Sequence, residues 1–391
     1  MRVTVSVPGR YHAFDLAKQL LKRGCLEQLI TAYPRFEVKK YGLPSDKVIT
    51  LPLNQVIYRA WARLPRLLRD TYDPALMLTE LFDRQGRRRV RDCDIFVGWA
   101  GSCLHTLRQA QSRGAITLVE RGSSHILFQQ EILREEYARL GLKGPLAHPG
   151  TIERELQEYS EADYIAVPSQ FVKNTFLQGG IDERKLIHNP YGVNLAGFRR
   201  VKKVDDVFRV IFVGGSSLRK GIHYLLRAFS ELKLPNSELL LIGSVDDNIK
   251  SFFREYAGTF KWIGHQRQEY LYRYYSQGSV FVMPSIEEGL AMVQLQAMAC
   301  GLPLICTTNT GGEDLIENGE QGYIIPIRDV GALKEKLVYL YENHTEREEM
   351  GRKAMERVRG HFSWDNYGRR TIENYQRILA EEKGTHTVNK E

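Results

Sequence analysis

The chain has 391 residues, of which 43% are hydrophobic, and a formal net charge of +8 at pH 7. This length exceeds one ordinary hydrophobic core and predicts two domains. No stretch is apolar enough to predict a membrane-spanning helix, and the first residues lack the pattern of a signal peptide. The five cysteines are scattered without a CxxC motif, which argues against disulfides and zinc and predicts a cytoplasmic protein.

The positive charge is concentrated near the N-terminus. Residues 1–200 contain 30 Lys and Arg against 21 Asp and Glu, and segments 59–70 and 84–91 carry much of the excess. Such a basic face suits peripheral contact with the anionic inner face of a membrane, or a phosphate-bearing substrate, and an ordinary solvated surface is the alternative. Nucleic acid is not expected as a partner, because aromatic residues do not interleave with the basic ones as base stacking requires.

Short apolar, β-branched runs alternate with helical patterns along the whole chain. In the first half, the runs that predict strands are VTVSV, QLITAY, KVITLPL, CDIFVG, AITLVE and DYIAVP. In the second half, they are FRVIFVG, ELLLIG, FKWIG, SVFVMP and LPLICT. This alternation predicts parallel sheets with crossover helices. Two such series predict an α/β protein with two doubly wound, Rossmann-like domains that face a cleft.

The boundary between the two series is predicted near residues 188–206, which are polar, turn-rich and basic. The first domain is therefore assigned to residues 1–200 and the second to residues 201–362. A last helical pattern begins at residue 362, after the second series is complete. Because ligands of doubly wound domains bind outside the carboxyl ends of the strands, the loops at those ends are the candidates for function.

The loop after FRVIFV has an anion-binding pattern. Gly214 and Gly215 allow backbone amides to approach a ligand closely. Arg219 and Lys220 add full positive charges at the start of a predicted helix, whose free amides add partial ones. A diphosphate is the natural ligand of such a loop, although the loop matches neither the Walker pattern nor GxGxxG. A plain turn with surface cations is the alternative.

A second loop joins SVFVMP to a helical pattern that is predicted to begin near Leu290. Glu288 precedes this helix, and Gln296 lies eight residues later, about 12 Å along the helix axis. That distance roughly matches the separation of the two sugars in a nucleotide sugar. Glu288 is therefore predicted to accept hydrogen bonds from a hexose, and Gln296 to bond a ribose. The alternative is a carboxylate that favours the helix dipole and a surface glutamine.

Four segments together resemble the family 4 retaining glycosyltransferases, which have the GT-B fold. IEEGLAMVQLQAMACGLPLI is similar to the signature E-G-x6-E-A-M-A-x-G-x-P, and FVGGSSLRKGIHYLLRAF is similar to the family's phosphate loop. HNPYGVNLAGF resembles N-G-V-D-x-x-x-F, and TNTGGEDLIENGEQGYIIP more loosely resembles G-G-x-x-E-x-I-x-x-G-x-x-G. The segments occur in the family's order, whereas the first 150 residues match only in general pattern.

The resemblance implies a metal-independent hexosyltransferase of glycan or glycolipid biosynthesis. Its donor would be a nucleotide sugar of the UDP, GDP or ADP type, with no other cofactor, and its acceptor a glycan or a lipid-linked glycan. The resemblance also implies that residues 363–391 pack back on the first domain. A GT-B epimerase or phosphorylase and a non-catalytic nucleotide-sugar sensor are the alternatives.

The resemblance assigns the donor site position by position. Arg219 and Lys220 would hold the diphosphate and Glu288 would face the donor sugar, so these three are predicted to be catalytic. Gln296 stands where the second signature glutamate is expected. Because a neutral amide bonds ribose hydroxyls less strongly than a carboxylate does, this departure is expected to alter donor affinity or nucleotide choice. The other implied donor contacts are the glycines of the phosphate loop, the backbone at the start of the signature helix and the nucleobase neighbours: Gly214, Gly215, Gly289, Leu290, Ala291, Met292, Trp262 and Ile263.

The acceptor side is predicted from two loops of the first domain. The segment ITLVERGSSHILF supplies Glu120, Arg121 and His125, and the segment SVPGRYHAFDL supplies the residues Gly9, Arg10 and His12. The resemblance implies a histidine near the anomeric centre. His125 is the candidate for this catalytic contact, with an ordinary loop histidine as the alternative.

Overall fold

The computed structural model describes residues 1–65, 73–144 and 146–388, with the main chain alone for residues 383–388. Part of the basic segment 59–70 and the last residues of the C-terminal tail therefore lie outside the described residues. No helix in the described part of the chain is long and apolar enough to cross a membrane.

The first sheet is built from residues of the first half of the chain. Its strands are β1 Val3–Val7, β2 Leu26–Thr31, β3 Val48–Thr50, β4 Ile95–Trp99, β5 Ile116–Glu120, β6 Tyr164–Val167 and β7 Leu186–His188. The helices between them are α1 Ala13–Lys22, α2 Arg35–Lys39, α3 Leu53–Ala62, α4 Ala75–Arg87, α5 Leu104–Gln111, α6 Ile126–Arg139, α7 Pro149–Glu161 and α8 Gln170–Gln178. The strand order is β3-β2-β1-β4-β5-β6-β7, with parallel neighbours throughout.

The second sheet repeats this arrangement. Its strands are β8 Phe208–Val213, β9 Ser237–Ile242, β10 Lys261–Trp262, β11 Val280–Met283, β12 Leu304–Thr307 and β13 Gly322–Ile325. The helices that follow its strands are α9 Ile222–Leu232, α10 Lys250–Glu255, α11 Leu271–Ser276, α12 Met292–Ala299, α13 Gly312–Leu315, α14 Val330–Glu342, α15 His344–His361 and α16 Trp364–Val388. The strand order is β10-β9-β8-β11-β12-β13, and all neighbours are again parallel.

The predicted α/β fold with two doubly wound sheets is confirmed. Every residue of β1, β4 and β11 is buried, because crossover helices cover both faces of each sheet. This burial explains why these strands read as nearly continuous apolar runs in the sequence. The assignment of residues 1–200 and 201–362 to separate domains stays a prediction.

The last helix, α16, returns to the first sheet, as the resemblance implied. Asp365 at its start accepts hydrogen bonds from Lys22 Nζ at 2.6 Å and from Arg23 Nη2 at 3.2 Å, and both of these residues are at the end of α1. Further along, Thr371 Oγ1 accepts a hydrogen bond from Asn189 Nδ2 at 2.9 Å. The chain therefore crosses between the two halves twice, once after β7 and once at α16.

Candidate active site between the two sheets

A cavity of about 580 Å³ lies where the carboxyl ends of the two sheets face each other. This volume lies within the usual range for a small-molecule site. Trp99 and Glu120, at the ends of β4 and β5, line one wall, and Val213 and Met283, at the ends of β8 and β11, line the other. The cavity therefore occupies the place that doubly wound sheets give to ligands.

The predicted anion loop forms part of the second wall. Gly214, Gly215, Arg219 and Lys220 all line the cavity. Gly221, at the start of α9, has a left-handed φ of 64°, and a Cβ there would overlap the carbonyl oxygen of Pro284. Only glycine therefore allows this loop to pack against the chain that follows β11.

The signature loop lies directly against the anion loop. Ile286 N donates to Arg219 O at 2.9 Å, which ties the two loops together through their backbones. The ammonium of Lys220 contacts Glu288 Oε2, and Arg219 Nη2 lies 3.4 Å from the same oxygen. Two cations and a carboxylate, each of which the sequence analysis assigns to the donor site, therefore meet on the cavity wall.

The pKa shifts of Lys220 and of Glu287, which pairs with Arg219, have different causes. Burial, and then the neighbouring Arg219, lower the pKa of Lys220 to about 7, while the charge of Glu287 acts in the opposite sense. Burial raises the pKa of Glu287, but Arg219 and the hydrogen bonds to the carboxylate outweigh burial and bring the pKa to about 2. Glu287 is therefore a fixed anion, whereas the charge of Lys220 is sensitive to pH near neutrality.

The start of α12 points toward the same cavity. Leu290, Ala291 and Met292 line it, and their amides donate no hydrogen bond to the described residues. By contrast, Glu288 N donates to Asn309 O at 2.9 Å. The free amides at a helix start can bind an anion or a sugar oxygen.

Gly289 lies outside the cavity lining and occupies the contact between the two walls. A Cβ at this position would overlap the carbonyl oxygen of Gly122, on the loop after β5. Ser169 Oγ, from the first half of the chain, donates to Gly289 O at 2.7 Å. The small size of Gly289 therefore permits the close approach of the two halves.

Three other predicted donor contacts do not line the cavity. Gln296 is buried in α12, and its Oε1 accepts a hydrogen bond from Tyr275 OH at 3.1 Å. Trp262 is half exposed at the edge strand β10, and its Nε1 donates to Gly243 O at 2.8 Å. Ile263 follows it and pairs with β9 through its amide. Their roles toward ribose and nucleobase stay predictions.

On the first wall, a buried histidine–carboxylate pair faces the cavity. His12 Nε2 lies 3.2 Å from Glu120 Oε2, and both residues line the cavity. The ring of His12 also packs against Tyr191, with centroids 4.2 Å apart, and against Trp99 at 5.0 Å. These contacts fix the orientation of the imidazole.

Of the other acceptor-side candidates, Arg121 lines the cavity, whereas Gly9 and Arg10 do not. Arg121 donates to Gln129 Oε1 and to Glu155 Oε1, each at 3.1 Å. Arg10 instead donates to Tyr41 OH at 2.8 Å and to Gln268 Oε1, across the cleft, at 3.4 Å.

The structure does not bring His125 to the cavity. Its Nδ1 caps α6 by accepting from Leu127 N at 3.3 Å, and its ring packs between Tyr159 and Phe176 at 5.2 and 5.0 Å. Burial, and then Arg121, lower the pKa of His125 to about 4, so the imidazole is neutral. His125 caps a helix in the core and is neither a cavity contact nor an ordinary loop histidine, and His12 is the histidine on the cavity wall.

Tyr191 and Glu287 are among the residues at this site that escaped prediction. Tyr191 lines the cavity and stands where the N-G-V-D pattern has asparagine. This departure from the pattern in HNPYGVN could have indicated that Tyr191 belongs to the site. Glu287 is fully buried beside Arg219, and the doubled glutamate in IEEGL was its signal.

Similarity of sequence to known proteins covers part of the chain. Residues 197–357 match the family model described as Glycosyl transferases group 1. The capsular polysaccharide biosynthesis glycosyltransferase CapM of Staphylococcus aureus is 31% identical over 47% of this chain and 50% of that protein. The D-inositol 3-phosphate glycosyltransferase of Paenarthrobacter aurescens is 27% identical over 51% of this chain and 54% of that protein. The chain spans about half the length of these curated relatives.

Similarity of fold extends over nearly the whole chain. Sucrose-phosphate synthase from Thermosynechococcus elongatus superposes with a TM-score of 0.73 and 20% identity, over 97% of this chain and all of that chain. HepE of Anabaena, in complex with UDP and glucose, superposes with a TM-score of 0.67 and 14% identity, over 96% of this chain and 99% of that chain. The chain therefore has the GT-B fold, and its residues 197–357 are similar to glycosyl transferases group 1.

Proposed function

We propose that the protein is a retaining glycosyltransferase that moves a sugar from a nucleotide-diphosphate donor to a hydroxyl group of a glycan or lipid-linked acceptor. The observation that carries the proposal is the cluster of Arg219, Lys220 and Glu288 on the wall of the cavity between the two sheets. Relatives named for capsular polysaccharide biosynthesis and for mannosyl transfer to a phosphatidylinositol monomannoside support this class of reaction.

The chemistry follows from where negative charge develops. As the glycosidic bond breaks, the leaving diphosphate gains charge, and Arg219, Lys220 and the free amides at the start of α12 stabilise it more in the transition state than before. Because the chain itself supplies these positive groups, we propose that the reaction needs no metal. The departing phosphate would take the acceptor proton on the same face of the sugar, which retains the anomeric configuration.

The remaining groups divide between donor and acceptor. Glu288 would exchange its present contact with Lys220 for hydroxyl groups of the donor sugar. The nucleoside would extend from Gly214 toward Trp262. The indole of Trp262 donates a hydrogen bond to Gly243, which lies beside Gly214. On the opposite wall His12, held by Glu120, would contact the reacting hydroxyl group in place of His125.

A thermal-shift screen with UDP, GDP and ADP and their sugars tests this function. One nucleotide is expected to raise the melting temperature, and its sugar is expected to be hydrolysed slowly without acceptor and transferred with retention in its presence. Binding without any turnover would indicate a sensor, and release of an altered free sugar would indicate an epimerase. Either result would contradict the proposal.

Diphosphate binding is predicted to weaken as the pH rises above 7. The pKa of Lys220 is about 7, well below the usual 10.5, and a bound diphosphate would raise it again. Binding then takes up a proton, so the affinity for UDP should fall by up to about tenfold per pH unit between pH 7 and 9. Calorimetry in buffers of different ionisation heat measures both effects, and Lys220→Arg should abolish them. A pH-independent affinity in the unaltered protein would contradict this assignment.

Membrane contact is proposed through helix α3. Its exposed residues combine apolar and basic side chains, with Val56 62% and Tyr58 49% exposed beside Arg59 and Arg63. The helix packs on α4 through a hydrogen bond from Asn54 to Leu78 O, and the next residue of α4, Thr79, lines the cavity. An anionic membrane bound at α3 would therefore lie near the acceptor side of the site.

Replacing both Val56 and Tyr58 with aspartate is predicted to abolish binding to vesicles that contain phosphatidylglycerol. The substitutions remove apolar area and add negative charge on the proposed contact surface. Co-sedimentation measures the bound fraction, and Val204→Asp, at an apolar residue of the other half that is 83% exposed, is the matched control. Equal binding of the double variant and the control would contradict the proposed surface.

A further inference from the structure

Glu287 is a buried charge beside the proposed diphosphate site. Its side chain is fully buried and is not among the residues that line the cavity, although its neighbour Glu288 is. A buried carboxylate is retained in a fold only when its oxygens are fully paired. The question is therefore which groups pair with it, and when.

Four donors satisfy this carboxylate, and they come from both halves of the chain. Oε1 accepts from Ser124 N at 3.0 Å and from Ser124 Oγ at 2.8 Å. Oε2 accepts from Gln129 Nε2 at 2.9 Å and from Arg219 Nη1 at 2.7 Å. Ser124 and Gln129 belong to the first half, whereas Arg219 belongs to the second. Full pairing of Glu287 therefore requires that the two walls meet.

The same contacts determine the direction of the Arg219 guanidinium. Its Nη1 is occupied by the Glu287 carboxylate and lies 3.3 Å from the Glu287 carbonyl oxygen. Its Nη2 is directed toward Glu288 on the cavity wall. One side of the guanidinium is thus held by a buried anion, and the other side is presented to the cavity.

We infer that Glu287 is a positioning residue, which directs Arg219 toward the donor diphosphate when the loop containing Ser124 closes against it. This inference rests on the proposed glycosyltransferase function. It makes Glu287 the link between closure of the acceptor wall and the presentation of a phosphate-binding cation. When the walls separate, the Glu287 carboxylate loses the donors from Ser124 and Gln129. It still pairs with Arg219, but it is no longer held in a fixed position.

The chain contains a matched control in Glu136. This carboxylate is also fully buried between the two halves, and it accepts from His223 Nε2 at 2.8 Å, Tyr224 OH at 2.9 Å and Arg328 Nε at 2.7 Å. None of these four residues lines the cavity. Glu136→Gln therefore weakens the contact between the halves without touching Arg219.

The test is the dissociation constant of UDP, GDP or ADP, whichever gives the largest thermal shift, measured by calorimetry in a double-mutant cycle. Removal of a negative charge near a phosphate would by itself tighten binding. If Glu287 positions Arg219, its removal should instead weaken binding, so Glu287→Gln should weaken nucleotide binding by about tenfold in the unaltered background. In the Arg219→Ala background the same substitution should leave binding unchanged or tighten it, because no guanidinium remains to be directed. Glu136→Gln should change binding less than threefold in both backgrounds.

Three results would overturn the inference. They are unchanged or tighter binding by Glu287→Gln, equal weakening in both backgrounds, and equal weakening by Glu136→Gln. Should Glu287→Gln fail to fold in a thermal melt, Gln129→Ala removes one donor and keeps the charge, and it should weaken binding about threefold only while Arg219 is present. Failure of every nucleotide to bind would instead contradict the proposed function itself.

Discussion

Replacing Lys220 with alanine is expected to lower the turnover of the donor by about 10²–10³-fold. Lys220 is one of two cations on the cavity wall, and its ammonium lies where the charge of a leaving diphosphate would develop. The loss should appear mainly in kcat, because the interaction is strongest in the transition state. Steady-state kinetics with the nucleotide sugar that the thermal-shift screen identifies would measure it.

A matched lysine provides the control for that experiment. Lys334, on α14, pairs with Glu231 at 3.0 Å and is not among the cavity residues, so Lys334→Ala should keep turnover within about twofold. Near-normal turnover by the Lys220→Ala variant, with its fold intact, would remove Lys220 from the mechanism. The role given to the anion loop would then have no support.

Replacing Gly289 with alanine is expected to lower turnover by about 10²-fold, since the two walls could no longer approach as they do. A Cβ would overlap the carbonyl oxygen of Gly122, and neither backbone can yield without moving its loop. A displacement of about 1 Å between reacting groups costs roughly this much. Kinetics would measure the loss, and X-ray scattering should show a larger radius of gyration.

Gly360, near the end of α15, offers the contrasting substitution. No atom lies within 4 Å of a Cβ added there, so Gly360→Ala should leave turnover unchanged and raise the free energy of unfolding by about 0.5–1 kcal/mol. If Gly289→Ala behaved in the same way, the contact between Gly289 and Gly122 would not be needed for activity.

The sequence predicted the central strands well and the sheet edges poorly. Strands such as β1 and β11 are covered on both faces, so their apolar runs are unmistakable. Two edge strands, β7 and β13, have three and four residues, and no predicted run corresponded to them. In KVITLPL only the first part is a strand, because Pro52 precedes α3 and the last leucine begins that helix. Short edge segments carry too little periodicity to separate strand from turn.

The candidate site divides in the same way. Arg219, Lys220 and Glu288 were predictable because each lies in a pattern of neighbouring residues. The two cations follow a glycine-rich loop, and Glu288 precedes the start of a helix. The pairing of His12 with Glu120 was not, since these residues are 108 positions apart in the chain and only the strand order brings them together. Sequence proximity to β5 instead favoured His125, which the structure uses as a helix cap. The partners of Glu287 depend on the meeting of two halves, which no local pattern records.

A crystal structure of the protein soaked with its nucleotide sugar would test the central claim most directly. The diphosphate is expected within hydrogen-bond distance of Arg219 and Lys220, beside the amides of residues 290–292, with the sugar facing Glu288 across from His12. A nucleotide sugar bound with its diphosphate away from these two cations would contradict the account.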